Sequence, residues 1–133
     1  MKRLSIILLF TTILLCLSSC GKEPAANYYI KYEAYVSSII YEGREARYVV
    51  STDNGDITIT TRRQSWSETY GPVEKGFTAN ITGSTNVDYS NGTTMTLNIY
   101  VCRGEEPFVF KASATDKIFK GKQSLSASYK IDF

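Results

Sequence analysis

An all-β chain is what this 133-residue sequence predicts: an antiparallel immunoglobulin-like β-sandwich of seven or eight short strands. Three observations carry the prediction. From Tyr28 onward apolar residues recur with period two, and no stretch shows the 3.6-residue period of a helix. Turn residues punctuate these runs at a spacing of roughly 8–12 residues, the rhythm of a sandwich. Roughly 113 residues lie beyond the apolar N-terminal run, enough to bury about two thirds of their unfolded surface and support one core without disulfides. A small closed β-barrel is the alternative that the same pattern allows.

The first strand runs from Tyr28 to Val36, with Tyr28, Ile30, Tyr32, Ala34 and Val36 on one face and Lys31 and Glu33 on the other. Ala46 to Thr52 and Ile57 to Arg62 form a hairpin through Asp53-Asn54-Gly55-Asp56, because Asn-Gly between β-branched runs is a strong hairpin signal. Trp66 to Tyr70 reads as a short strand ended by Gly71-Pro72. Gly76 to Ile81 puts Phe77, Ala79 and Ile81 on one side, and a polar loop from Thr82 to Thr93 follows, holding a second Asn-Gly at Asn91-Gly92. The clearest alternation is Met95, Leu97, Ile99 and Val101 inward against Thr96, Asn98 and Tyr100 outward. A turn at Arg103-Gly104-Glu105-Glu106 returns the chain into Phe108, Phe110, Ala112 and Ala114. Leu125 to Phe133 supplies the closing strand.

Ahead of the strands lies an address. Met1-Lys2-Arg3 is a positive start, and Leu4 to Leu17 is almost wholly apolar. A bilayer core needs about 20 apolar residues, so this shorter run reads as a signal-peptide core rather than a span. Leu17-Ser18-Ser19-Cys20-Gly21 resembles the lipobox of bacterial lipoproteins. That resemblance implies a signal peptide over 1–19, cleavage before Cys20, and acyl chains on Cys20 that anchor the protein to a membrane. Residues 20–27 then form a lipidated tether containing Pro24, and 28–133 the sandwich domain. Gly21 is not the aspartate that retains many lipoproteins at the inner membrane, so the outer membrane is the expected site, with its periplasmic or cell-surface face left open.

Composition narrows the chemistry. The formal charge of +2 arises from 15 Lys+Arg against 13 Asp+Glu, and losing Lys2 and Arg3 with the leader leaves 13 against 13. A neutral domain without a basic stripe argues against nucleic acid as a partner. The chain has no histidine, which excludes Ser-His-Asp and Cys-His pairs and HExxH zinc sites. Cys16 leaves with the signal and Cys20 takes lipid, so Cys102 has no intrachain partner and reads as a buried thiol.

Several motifs occur in a telling order: Tyr28-x-x-x-Tyr32-Glu33, the Asn54-Gly55 hairpin, Gln64-Ser65-Trp66-Ser67, and Gly76-Phe77-x-Ala79 followed by Leu97-x-Ile99-x-Val101. Over Tyr28 to Thr115 this order resembles the extracytoplasmic β domain of the mycobacterial membrane protein small (MmpS) family. The resemblance implies a sandwich fold and, in that family, a role as accessory subunit of a lipid exporter. This chain departs from the family at two points. Gln64-Ser65 stands where a proline commonly precedes the tryptophan, and a lipobox stands where the family has a transmembrane helix.

Candidate binding residues are aromatic. All ten tyrosines follow the leader, and Tyr29 and Tyr35 lie on the strand face opposite Tyr28 and Tyr32. One set must face outward, where it serves either as a stripe for glycan or protein or as cross-strand pairing on a half-buried sheet. Trp66, the sole tryptophan, is a core residue or, if exposed, a platform for a sugar ring. Glu105-Glu106 are neighbours in a turn and do not make the opposed carboxylates that glycoside hydrolysis needs. Asp53, Asn54 and Asp56 are turn chemistry rather than a calcium loop. Lys117, Lys120, Lys122 and Lys130 make a mildly basic C-terminal region, read as a solvated face. The expected function is a non-enzymatic, lipid-anchored binding or assembly module with no cofactor and no metal. The alternative is a glycan-binding accessory lipoprotein of a polysaccharide-uptake system.

Overall fold

Period-two runs bounded by turns become eight antiparallel strands in the computed structural model, which describes residues 25–37, 45–85, 93–118 and 124–133. They are β1 Tyr28–Val36, β2 Ala46–Thr52, β3 Gly55–Thr61, β4 Ser65–Val73, β5 Thr78–Thr85, β6 Thr93–Arg103, β7 Val109–Ile118 and β8 Leu125–Lys130. One four-stranded sheet has the order β4-β1-β6-β7 and the other β3-β2-β5-β8. The two sheets pack face to face as a β-sandwich and do not close into a barrel. The expected signal peptide, Cys20, the start of the expected tether, Asn91-Gly92, Lys120 and Lys122 lie outside the described residues.

The inward residues are those the alternation marks. Tyr28, Ile30, Tyr32, Ala34 and Val36 of β1 are buried, as are Ala46, Tyr48 and Val50 of β2 and Met95, Leu97, Ile99 and Val101 of β6. Ala79, Ile81, Ala127 and Ile131 close the core from the second sheet's side. Each fully buried aliphatic side chain contributes about 1.5–3 kcal/mol against exposure, so this one core supplies the main driving force. Gly83 continues the inward series after Ala79 and Ile81. A Cβ there would lie 2.5 Å from Met95 Sδ and 3.1 Å from Leu97, so the missing side chain is the space those two occupy.

β3 and β8 end at Thr61 and Lys130 rather than at Arg62 and Phe133, and four further departures from the sequence expectation each have a physical reason. The β2–β3 loop is only Asp53-Asn54, and Gly55 pairs with Thr52 rather than sitting in the turn. Thr52 Oγ1 accepts from Asn54 N and donates to Gly55 O, which tightens the bend. β4 does not stop at Gly71-Pro72: two residues, 71 and 72, oppose the single Tyr29, and pairing resumes at Tyr28 with Val73. This bulge is possible because β4 is an edge strand, where proline lacks no ladder donor. β5 starts two residues later than Gly76 and runs to Thr85, so Thr82–Thr85 is strand, not loop. In β7, Ile99 pairs with Ala112 but Tyr100 pairs with Phe110, leaving Lys111 as an extra residue. That bulge divides the even-numbered run between two faces. Ala112 and Ala114 turn toward the core, while Phe110 turns outward beside Tyr100.

Two buried phenols behave differently. Tyr32 donates to Ser51 O at 2.8 Å and so bolts β1 to β2 across the sandwich. Tyr48 OH is buried with no partner among the described residues. Tyr48→Phe is therefore expected to be neutral or stabilising, whereas Tyr32→Phe costs about 1 kcal/mol, read from urea midpoints. Burial pushes the Tyr48 phenol from its ordinary 10.0 up to about 12, and burial likewise raises Tyr32. A raised folded value means the native state holds these protons more tightly than the unfolded chain. Their stability is thus complete below pH 10 and is lost as pH climbs through about 12. Tyr48→Phe should flatten part of that alkaline loss.

Candidate functional site

Outward residues of the β4-β1-β6-β7 sheet stand in ranks set by strand register. One rank is Thr69, Lys31, Tyr100 and Phe110; the next is Ser67, Glu33, Asn98 and Ser113; the third is Ser65, Tyr35, Thr96 and Thr115. Alternation along each strand and antiparallel pairing between strands bring these side chains onto one surface.

The first rank is aromatic and cationic. Lys31 Nζ sits 4.5 Å from the Tyr100 ring centroid and 5.6 Å from that of Phe108. Tyr100 and Phe110 meet edge to face at 5.7 Å. Lys31 also pairs with Glu33 at 2.9 Å. Desolvation raises the Tyr100 phenol, the adjacent Glu33 carboxylate raises it further, and Lys31 opposes them.

The other two ranks are polar. Ser113 Oγ donates to Asn98 Oδ1 at 2.8 Å, and Thr115 Oγ1 donates to Thr96 Oγ1 at 3.1 Å. Between β4 and β1 lies a shallow depression of about 270 Å³ lined by Glu33, Tyr35, Ser65, Ser67 and Asn98 with Ala34 and Trp66. Tyr35 is 46% exposed at its rim, and its hydroxyl accepts from Gln64 Nε2 at 3.3 Å. Sites that enclose a small molecule start near 300 Å³, so this hollow suits a chain or loop laid across it. Its lining holds one carboxylate, already paired with Lys31, so it offers hydrogen bonds and a ring face rather than acid–base chemistry.

The three aromatic candidates do not form one row. Tyr35 is exposed and Tyr29 half-buried on the outer face. Trp66 pairs with Ala34 on the inward side of β4, is half-buried, and stacks on Tyr48 of the opposite sheet at 5.5 Å and 22°. It touches the depression from beneath. Cys102 is a free, buried thiol with Sγ 3.8 Å from Gly104 O, and burial raises its pKa. Asp53 and Asn54 are exposed, and Asn54 Nδ2 donates to Asp53 Oδ2. Glu105, Glu106, Lys117 and Lys130 are exposed.

Sequence reasoning missed Phe108, Phe110, Glu33 and Asn98 as surface partners. The signal for the phenylalanines was a size change at constant parity, two large rings and then two alanines, with Lys111 between them. A core facing buried strands has no reason for that step, whereas a bulge does.

No protein-family model, curated protein or solved structure matches the chain.

Proposed function

We propose that the chain is a non-enzymatic binding or assembly module, anchored to the bacterial outer membrane by lipid on Cys20, with the outer face of the β4-β1-β6-β7 sheet as its working surface. The observation that carries the reading is the exposed Tyr35 ring over a hydrogen-bonding hollow of Glu33, Ser67 and Asn98. The described residues begin at Ala25, and Asn27 O accepts from Gly104 N at 2.7 Å, so the tether joins the Tyr28 end of β1. Tyr35 lies seven residues further along that strand, about 23 Å away at 3.3 Å per residue. A partner reaching Tyr35 therefore meets the end remote from the anchor.

A glycan is the second reading. One exposed ring flanked by a carboxylate, an amide and hydroxyls has the chemistry that grips a sugar's apolar face and its hydroxyl rim.

The test is a photo-cross-linking residue placed at Tyr35 or, as control, at Thr60, which is exposed on the other sheet's outer face. On intact cells position 35 should give discrete adducts that Glu33→Gln and Asn98→Ala diminish, and position 60 none. Equal labelling at both positions contradicts the site. Adducts sensitive to glycosidase select the glycan reading over a protein partner.

A further inference from the structure

Among the described residues, the end of the sandwich that receives the tether carries most of the large exposed apolar side chains. Phe108, Val109, Phe110 and Phe133 are 39%, 52%, 54% and 38% exposed, respectively. They share one corner. Lys111 Nζ sits 3.7 Å from the Phe133 ring centroid, Phe133 meets Tyr28 edge to face at 5.4 Å, and Phe108 and Phe110 flank Tyr100 and Lys31. Rings left this bare on a small domain ask for a partner.

We propose that this corner docks on the lipid bilayer that holds Cys20, inserting Phe108, Val109 and Phe110 at the interface. The inference rests on the lipid-anchor reading above. Chain length commits the occupant: four residues separate Cys20 from Ala25, and the five residue steps span at most about 18 Å fully extended. A surface so close to the anchor is never far from lipid. Ala25 and Ala26 line a depression with Tyr28, Arg103 and Phe133, so the tether emerges beside the rings themselves. The ammonium groups of Lys31 and Lys111 lie over ring faces, next to the rings where they can meet headgroups while the rings go deeper.

Charge does not drive this docking. Arg103 and Lys75 at the same end are offset by Glu74, Glu105, Glu106 and Asp132. The contact should therefore form on zwitterionic lipid and persist in salt, unlike a polybasic contact. Its consequence is orientation: the strands stand away from the membrane and Tyr35 points outward from it.

The test uses the full lipidated chain in phosphatidylcholine vesicles, with Cys102→Ala as background and a fluorophore on Val109→Cys or, as control, Thr60→Cys. Quenching by spin-labelled acyl chains should be several-fold stronger at 109 than at 60. The pair Phe108→Ser and Phe110→Ser should abolish the difference while the chain still floats with the vesicles. Floating with equal quenching at both positions overturns the docking alone. A chain that does not float contradicts the lipid anchor and takes the docking with it. Protection of position 109 only after other envelope proteins are added makes the corner a protein interface and overturns the membrane assignment.

Discussion

Ile99→Ala should lower the unfolding free energy by about 4 kcal/mol, near the upper part of the range for isoleucine truncation in a close-packed core. Ile99 is fully buried in the middle of β6, between Tyr32 on β1 and Ala112 on β7. Both neighbouring strands are held by long ladders, so the cavity has little room to collapse. A domain of this size has roughly 5–15 kcal/mol in total, and the variant should unfold at a much lower urea concentration with an unchanged slope. Ile57→Ala is the control. Ile57 is 36% exposed on the edge strand β3, and its truncation should cost under about 1 kcal/mol. Similar losses at both positions would contradict this packing.

Gly71→Ala should be the next most damaging change, at about 3 kcal/mol. Gly71 has φ +135°, a conformation that side chains resist. A Cβ there would also lie 2.8 Å from the Tyr28 carbonyl oxygen, a backbone atom that cannot rotate away, and 3.0 Å from the Tyr29 ring. Both costs fall in the bulge itself, just before β4 rejoins β1 at Val73, so the variant should expose the amides around Val73 to faster hydrogen exchange. Gly55→Ala separates the two costs. Gly55 has φ +101°, but a Cβ added there would meet nothing within 4 Å, so only the backbone strain of about 1–2 kcal/mol remains. Equal destabilisation of the two variants would show that the Tyr28 contact carries no weight.

Much of the fold was legible because alternation is strong where both neighbours in the sheet are buried. β1 and β2 have the bounds the sequence predicts, and the inward series of β1 and β6 is buried residue for residue. Illegible were the places where register slips by one. A bulge at Lys111 reverses the face of Phe110, and the step from two rings to two alanines is its only trace, since a slip leaves period two itself unmarked. Gly83 hid the end of β5, since its inward side chain is absence, filled by Met95 and Leu97 from across the core. Trp66 reads as a core residue with an exposed sugar platform as the alternative, and its half-buried ring stacks on Tyr48 of the opposite sheet.

The candidate site was legible in part. Alternation places Tyr29 and Tyr35 on the outer face, but the ranks that join Glu33 to Asn98 and Ser67 depend on which strands flank β1. Two of the three strands that build the hollow are far apart in sequence, and no local pattern encodes their pairing. Glu33 and Asn98 come together only through the β1–β6 ladder.

The membrane setting of the proposed function, and the docking with it, rests on the anchor at Cys20, and the mass of the mature chain extracted from membranes tests it most directly. The expected species begins at Cys20 and carries the added mass of a thioether-linked diacylglycerol, and of an N-acyl chain where the amine is acylated. Cys20→Ala should leave an unprocessed precursor. A mature chain of unmodified mass, or one cut at another residue, would contradict the anchor.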